Sequence, residues 1–235
     1  MKLSISKKAI LLVFTVLFVD QLVKILIKTH MAMGDSFRVL GDKFLIHFTE
    51  NPGMAFGMQF GGEAGKLTLS IFRIIAVIGI CWYLIHLIKT KVSGGLVLCF
   101  ALILAGAIGN ILDSAFYGLI FNKGMTFNPA INDWVPYYGV AEFGKPGYAG
   151  FLSGCVVDML YFPLIQGHYP SWLPIWGGQE FLFFRPVFNI ADSSITVGVF
   201  LILIFQKRFF KEEKKDEEIK EPDVIKPEEQ NLQEI

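Results

Sequence analysis

The sequence predicts an all-α membrane protein built on four transmembrane helices, on three observations. Four apolar segments are each long enough to cross a bilayer. Lys and Arg cluster beside those segments at three places that a four-span topology puts on one side. Charge is unevenly placed, with a dense run of it in one terminal stretch. Of 235 residues, 53% are hydrophobic and 14% aromatic, and only 18% are charged, against about 25% in soluble domains. Seventeen of the 42 charged residues fall in 207–235, so a net charge of zero conceals an apolar body and a highly charged tail. No basic stripe of the kind that binds nucleic acid is present. The three cysteines, with Cys81 and Cys99 inside apolar runs, do not form a disulfide framework.

Crossing a hydrocarbon core of ~30 Å takes about 20 apolar residues, and the segments 10–27, 67–88, 95–117 and 189–205 meet that requirement. The first resembles a secretory signal, with Lys2, Lys7 and Lys8 ahead of an apolar stretch. No small-x-small cleavage site follows, however, and Asp20, Gln21 and Lys24 interrupt the run, so a retained span is expected. The second span, LTLSIFRIIAVIGICWYLIHLI, is one of the two cleanest. The third contains AGAIGN, whose small residues permit close helix packing. The fourth ends in SSITVGVFLILIF. Lys2, Lys7 and Lys8, then Lys89 and Lys91, then Lys207, Arg208 and Lys211 mark the cytoplasmic side. Both termini are therefore expected inside, with the loops 29–66 and 118–188 outside.

In the first outer loop, Phe44, Ile46 and Phe48 alternate with other residues and predict a short strand. The glycine-rich NPGMAFGMQFGG follows as a turn-forming stretch. The second outer loop is long for an unstructured connection. Its Pro, Gly, Trp and Tyr content places it along the membrane interface. The tail 207–235, with alternating charge, Pro222 and Pro227, predicts disorder.

Polar residues within or beside the spans carry the functional information. Asp20 and Lys24 stand four apart on one helix face, either as an internal salt bridge or as part of a site. Asn110 and Asp113 share a face at the outward end of the third span, where an acid opposes the helix dipole. Asn189 and Asp192 read as a capping box opening the fourth span, yet this acid lies at the membrane edge. Asp158 stands in the apolar run CVVDML, an unusual place for a solvated acid; a strand with a polar face is the alternative. The scattered His30, His47, His86 and His168 lack metal-ligand spacing. Neither a nucleophile elbow nor a phosphate-binding loop occurs.

Taken in order, five blocks resemble the lipoprotein signal peptidase (signal peptidase II) family. They are Asp20-Gln21-x-x-Lys24, Asn51-x-Gly53-x-Ala55-Phe56-Gly57, Gly106-x-x-Gly109-Asn110-x-x-Asp113, Val156-Val157-Asp158 and Phe188-Asn189-Ile190-Ala191-Asp192-Ser193. The resemblance implies a bacterial inner-membrane aspartic endopeptidase, spanning 1–206, with a small β-rich extracytoplasmic platform beside the four helices. It implies a monomer, with no cofactor or metal, that cleaves prolipoproteins just before a diacylglyceryl-modified cysteine. By position, Asp158 and Asp192 are the catalytic pair. Asp20, Lys24, Asn51, Gly53, Gly106, Asn110, Asp113, Asn189 and Ala191 match positions that bind substrate or support the site. Two departures stand out. Ser114 occupies the place where the family usually has Arg, leaving Arg73 or Arg185 to supply that charge. The stretch 118–153 looks like an insertion.

Leu152-Ser153-Gly154-Cys155 mimics the family's own cleavage site, but it lies far from any N-terminal signal segment and reads as coincidence. For two carboxylates in close contact, one shared proton is expected. Asp192 at a helix N-terminus suits the charged form, and Asp158 among apolar residues suits the protonated one. The rival readings are a small proton- or cation-coupled transporter subunit and a structural scaffold. The first would use the same acids as an ion path, although no inverted repeat is visible.

Overall fold

The computed structural model describes residues 3–53, 62–163, 165–168, 170–172, 174, 178–183 and 187–218. Four of its helices are long and apolar enough to cross a membrane: α1 (Ile5–His30), α2 (Gly62–Lys89), the α3 region (Gly94–Ile120) and the apolar part of the last helix (Ile190–Phe209). Regular α3 covers Gly94–Leu112, then a π-helical turn, Asp113–Tyr117, leads into the short α4 (Gly118–Ile120). The last helix, α5 (Ile190–Glu218), continues well past 206 into the charged stretch. Lys and Glu are good helix formers, so a charged sequence can prolong a span as helix. Residues 219–235 lie outside the described residues.

Helix α3 is the centre of the bundle and packs against α1, α2 and α5. Small residues let it do so. A Cβ on Gly106 would collide with the backbone carbonyl of Ala191 in α5, and one on Gly198 of α5 would stand 2.8 Å from the Cys99 carbonyl. The outer faces of α1, α2 and α5 expose Phe14, Phe18, Phe72, Ile75, Trp82, Phe200 and Ile204, as surfaces in hydrocarbon do. The bundle has a defined polarity. At one end Gly94 meets Ile5 and Gly95 meets Phe209, so the Lys- and Arg-bearing ends of the helices gather there. At the other end Gly106 and Gly109 meet Ala191 and Asp20.

That second end carries a four-stranded sheet in the order β1–β2–β5–β8, all pairs antiparallel: β1 (Ser36–Leu40), β2 (Phe44–Asn51), β5 (Val156–Tyr161) and β8 (Val187–Phe188). The expected strand at Phe44–Phe48 is the start of β2, where Phe48 is fully buried. The long second loop is not a bare connection. It contributes the hairpin β3–β4 (Thr126–Asn128, Asp133–Val135), the central strand β5, the hairpin β6–β7 (Ile165–His168, Glu180–Phe183) and β8. Between the pairs Ile46↔Leu160 and Thr49↔Asp158, β2 carries one extra residue. A bulge of this kind re-aims side chains beside it, and here it adjoins Asp158. The turn-forming stretch lies largely outside the described residues; its first glycine, Gly53, has φ +106°, a conformation favourable to glycine.

Candidate active site

Asp158 sits mid-strand in β5 with 4% of its surface exposed. The alternative of a strand holding a polar face is half right: the strand is there, but the acid is buried. Asp192 lies in the first turn of α5 and is half-buried. Its capping box is complete. The Asp192 N–H donates to Asn189 Oδ1 at 2.9 Å, and the Asn189 N–H donates back to Asp192 Oδ2 at 3.4 Å. The same Asn189 also reaches across to the strand, where its Nδ2 donates to Asp158 Oδ1 at 2.7 Å. Capping and site building are one act.

A second amide completes the bridge. Asn110 Nδ2 donates to Asp192 Oδ1 at 2.7 Å, and Asn110 Oδ1 accepts from Asn189 Nδ2 at 3.1 Å. The two candidate acids are thus joined through Asn189, just ahead of α5, and Asn110, in the last turn of α3. Asn110 Oδ1 also accepts from Lys24 Nζ at 3.0 Å.

Behind this pair stands a buried triad. Lys24 forms ion pairs with Asp20 (2.9 Å) and Asp113 (2.8 Å), and all three side chains are at most 1% exposed. Each acid then holds a backbone N–H. Asp20 Oδ1 accepts from Ala191, the residue before Asp192, at 2.9 Å; Asp113 Oδ2 accepts from Val157, the residue before Asp158, at 3.3 Å. One lysine therefore fixes two carboxylates that in turn fix the backbone next to each candidate acid. Asp113 does not end a helix, because it opens the π-turn, a distortion frequent at functional sites.

Burial pushes the Asp158 carboxyl up to about 8, the charge of Asp192 adds to the effect, and Lys24 and the Asn189 hydrogen bond oppose it. The guanidinium of Arg73 on α2 lies within electrostatic reach of Asp192, Asp158 and Asp113. It brings positive charge to a site where Ser114 brings none; Ser114 Oγ instead donates to the Asn110 carbonyl at 3.2 Å. Arg185 lies outside the described residues.

Nine of the eleven expected site residues meet here: Asp20, Lys24, Gly106, Asn110, Asp113, Asp158, Asn189, Ala191 and Asp192. Asn51 and Gly53 lie at the end of β2. Asn51 pairs with Val156, two residues from Asp158, and its Oδ1 accepts from the Gly53 N–H at 2.8 Å. Two participants were not among the expected site residues. Gln21 Nε2 donates to Asp113 Oδ1 at 2.8 Å, and Gln21 Oε1 accepts from Tyr117 Oη at 3.2 Å. An amide inside an apolar helix was the available signal for Gln21; Tyr117, at a span end, gave none. Cys155 of the apparent cleavage motif is fully buried where β5 begins.

Residues 12–208 match the family model described as signal peptidase (SPase) II. The lipoprotein signal peptidase of Porphyromonas gingivalis is 48% identical over 199 residues, covering 84% of this chain and 81% of that protein. The one from Amoebophilus asiaticus is 39% identical over 189 residues, covering 79% and 72%. Two solved structures described as bacterial membrane enzymes are also similar. One has a TM-score of 0.53 at 26% identity, with 94% of this chain and 95% of that chain covered; the other has 0.51 at 28%, with 84% and 91% covered.

Proposed function

Because the chain belongs to the signal peptidase II family, and so is a bacterial multi-pass membrane protease that removes signal peptides from prolipoproteins, we propose that it does this with Asp158 and Asp192 as an aspartic pair. The observation that carries the reading is the Asp158–Asn189–Asn110–Asp192 bridge, with Asp20 and Asp113 holding the N–H before each acid.

In this mechanism Asp192, which accepts from Asn110 Nδ2 and the Asn189 N–H, is ionised and draws a proton from the attacking water. Asp158, kept protonated by burial, donates a hydrogen bond to the scissile carbonyl and stabilises the charge that develops on it. Collapse of the tetrahedral intermediate breaks the C–N bond, and the leaving amine takes the proton gained from water. Lys24, Asp20 and Asp113 touch neither reacting atom; they hold both acids in place. The bond cut is the one before a diacylglyceryl cysteine, and the acids lie at the outer face, with both termini cytoplasmic. The Lys- and Arg-bearing end of the bundle, opposite the acids, supports that orientation. A site at the membrane edge lets the acyl chains stay in lipid while the peptide bond reaches the acids.

The test is a cleavage assay in detergent with lipidated and unlipidated prolipoprotein. Asp158→Asn and Asp192→Asn should each abolish cleavage at unchanged expression, and the unlipidated precursor should remain intact. Near-wild-type turnover by either variant would sink the pair, and efficient cleavage of the unlipidated precursor would sink the substrate assignment.

A further inference from the structure

A second polar centre lies apart from the acids, where the start of α2 meets the β3–β4 hairpin. A cleft of about 180 Å³ opens there, with Lys66, Trp134, Tyr148 and Ser153 among its walls. Lys66 itself is only 6% exposed. The ammonium stands 5.0 Å from the centre of the Trp134 ring and 3.3 Å from Cys155 Sγ. Among the described residues no carboxylate lies within ion-pair distance of it; the ion pairs engage Lys24, Lys28 and Arg38. The thiol does not neutralise it either, since burial pushes Cys155 up to about 11 and leaves it uncharged at neutral pH. Glu50 acts on Lys66 only at a distance, because its carboxylate is ion-paired with Lys28. Glu63 stands exposed at the rim, where solvent screens it.

A buried ammonium beside a ring and a neutral thiol lacks an ion-pair partner of its own, and this residue lines a cleft. Lys66 occupies the start of α2, at the acid-bearing end of the bundle: Ser70, one turn on, donates to the Leu152 carbonyl that leads into β5. In the orientation argued above, that level is the head-group layer of the outer leaflet, where Trp and Tyr concentrate. We propose that this cleft binds the phosphodiester head group of a membrane phospholipid, with the phosphate on Lys66 and the acyl chains along the exposed apolar surface of α2.

The inference rests on the orientation proposed for the protease, so its test is kept separate from cleavage. The full chain, carrying Asp158→Asn, is purified in detergent, and retained phospholipid is counted by native mass spectrometry. Lys66→Met removes the charge. Gly150→Phe is the second variant: Gly150 lines the cleft, and a Cβ there meets nothing within 4 Å, so the ring fills the space and leaves Lys66 in place. The parent should retain one more phospholipid per chain than either variant. Added phosphatidylglycerol should raise its melting temperature by several degrees, and inorganic phosphate at equal concentration should not. Equal lipid retention by parent and variants would overturn the proposal, as would an equal response to inorganic phosphate. Cleavage by the Asp158→Asn chain would count against the catalytic pair and leave the lipid site untouched.

Discussion

Asp158 is an acid whose chemistry the fold changes strongly. Its carboxyl is pushed up to about 8 by burial, from a free value of about 3.9. Between those two values the folded chain holds a proton that the unfolded chain has lost. Stability therefore falls as pH rises through that window. Asp158→Asn cannot ionise, so its melting temperature should equal the wild type's near pH 4 and exceed it increasingly up to about pH 8, where the gap levels off at a stability difference on the order of a few kcal/mol. Thermal melts across pH 4 to 9 check this, and a constant gap would contradict it. Activity should show the same group. If protonated Asp158 donates to the scissile carbonyl, cleavage rates should drop about tenfold per pH unit above ~8, and a flat profile to pH 10 would exclude that role. The sequence made Asp158 stand out as an acid in an apolar run. It could not show that Asn189, an ordinary cap, donates to it at 2.7 Å, because that contact joins residues 31 positions apart.

Among the elements, the contact between α3 and α5 sets the geometry of the pair. Gly106 lies against the Ala191 carbonyl so closely that a methyl group has no room, and Ile195 Cγ1 would stand 2.7 Å from it. Gly106→Ala must push the start of α5, and Asp192 with it, away from Asn110. We expect at least a tenfold loss of cleavage and a destabilisation of about 1–3 kcal/mol. Gly79→Ala on α2, where a Cβ meets nothing, should leave both unchanged or slightly improved. Equal behaviour of the two variants in melting and cleavage assays would refute the argument. Helices of this length were legible because twenty apolar residues in a row are a strong signal. Their ends were less so: α1 starts at Ile5, and α5 runs through a charged stretch that reads equally well as coil. The π-turn at Asp113–Tyr117 left no periodicity to read. Strands of three or four residues such as β3, β4, β6 and β7 owe their existence to their partners.

At the scale of the whole molecule, the stretch 118–153 that looked like an insertion is locked to the bundle by a centre the sequence did not reveal. Lys28, in the last turn of α1, reads as a routine helix-end cation, and Glu50 as a strand residue. Folded, both are buried and paired. Glu50 Oε2 accepts from the Met125 N–H at 2.9 Å and Oε1 from Tyr137 Oη at 3.1 Å. The rings of Phe121, Tyr137 and Tyr148 surround the Lys28 ammonium at 5.1–5.2 Å. All four of these partners, Phe121, Met125, Tyr137 and Tyr148, belong to the stretch 118–153. Removing one partner of a buried pair costs about 3–5 kcal/mol, but the two removals should differ here. Ring faces attract a cation and repel an anion. Lys28→Met strands a carboxylate beside three rings, whereas Glu50→Gln leaves the ammonium in its cage and keeps an oxygen to accept from Met125 or Tyr137. Lys28→Met should therefore be the more destabilising, and limited proteolysis should cut within 118–153 in that variant first. The double variant should lose less than the sum of the singles, by more than about 1 kcal/mol. If Glu50→Gln proves the worse of the two, or if the losses simply add, the cage is packing alone and something else holds the stretch to the helices.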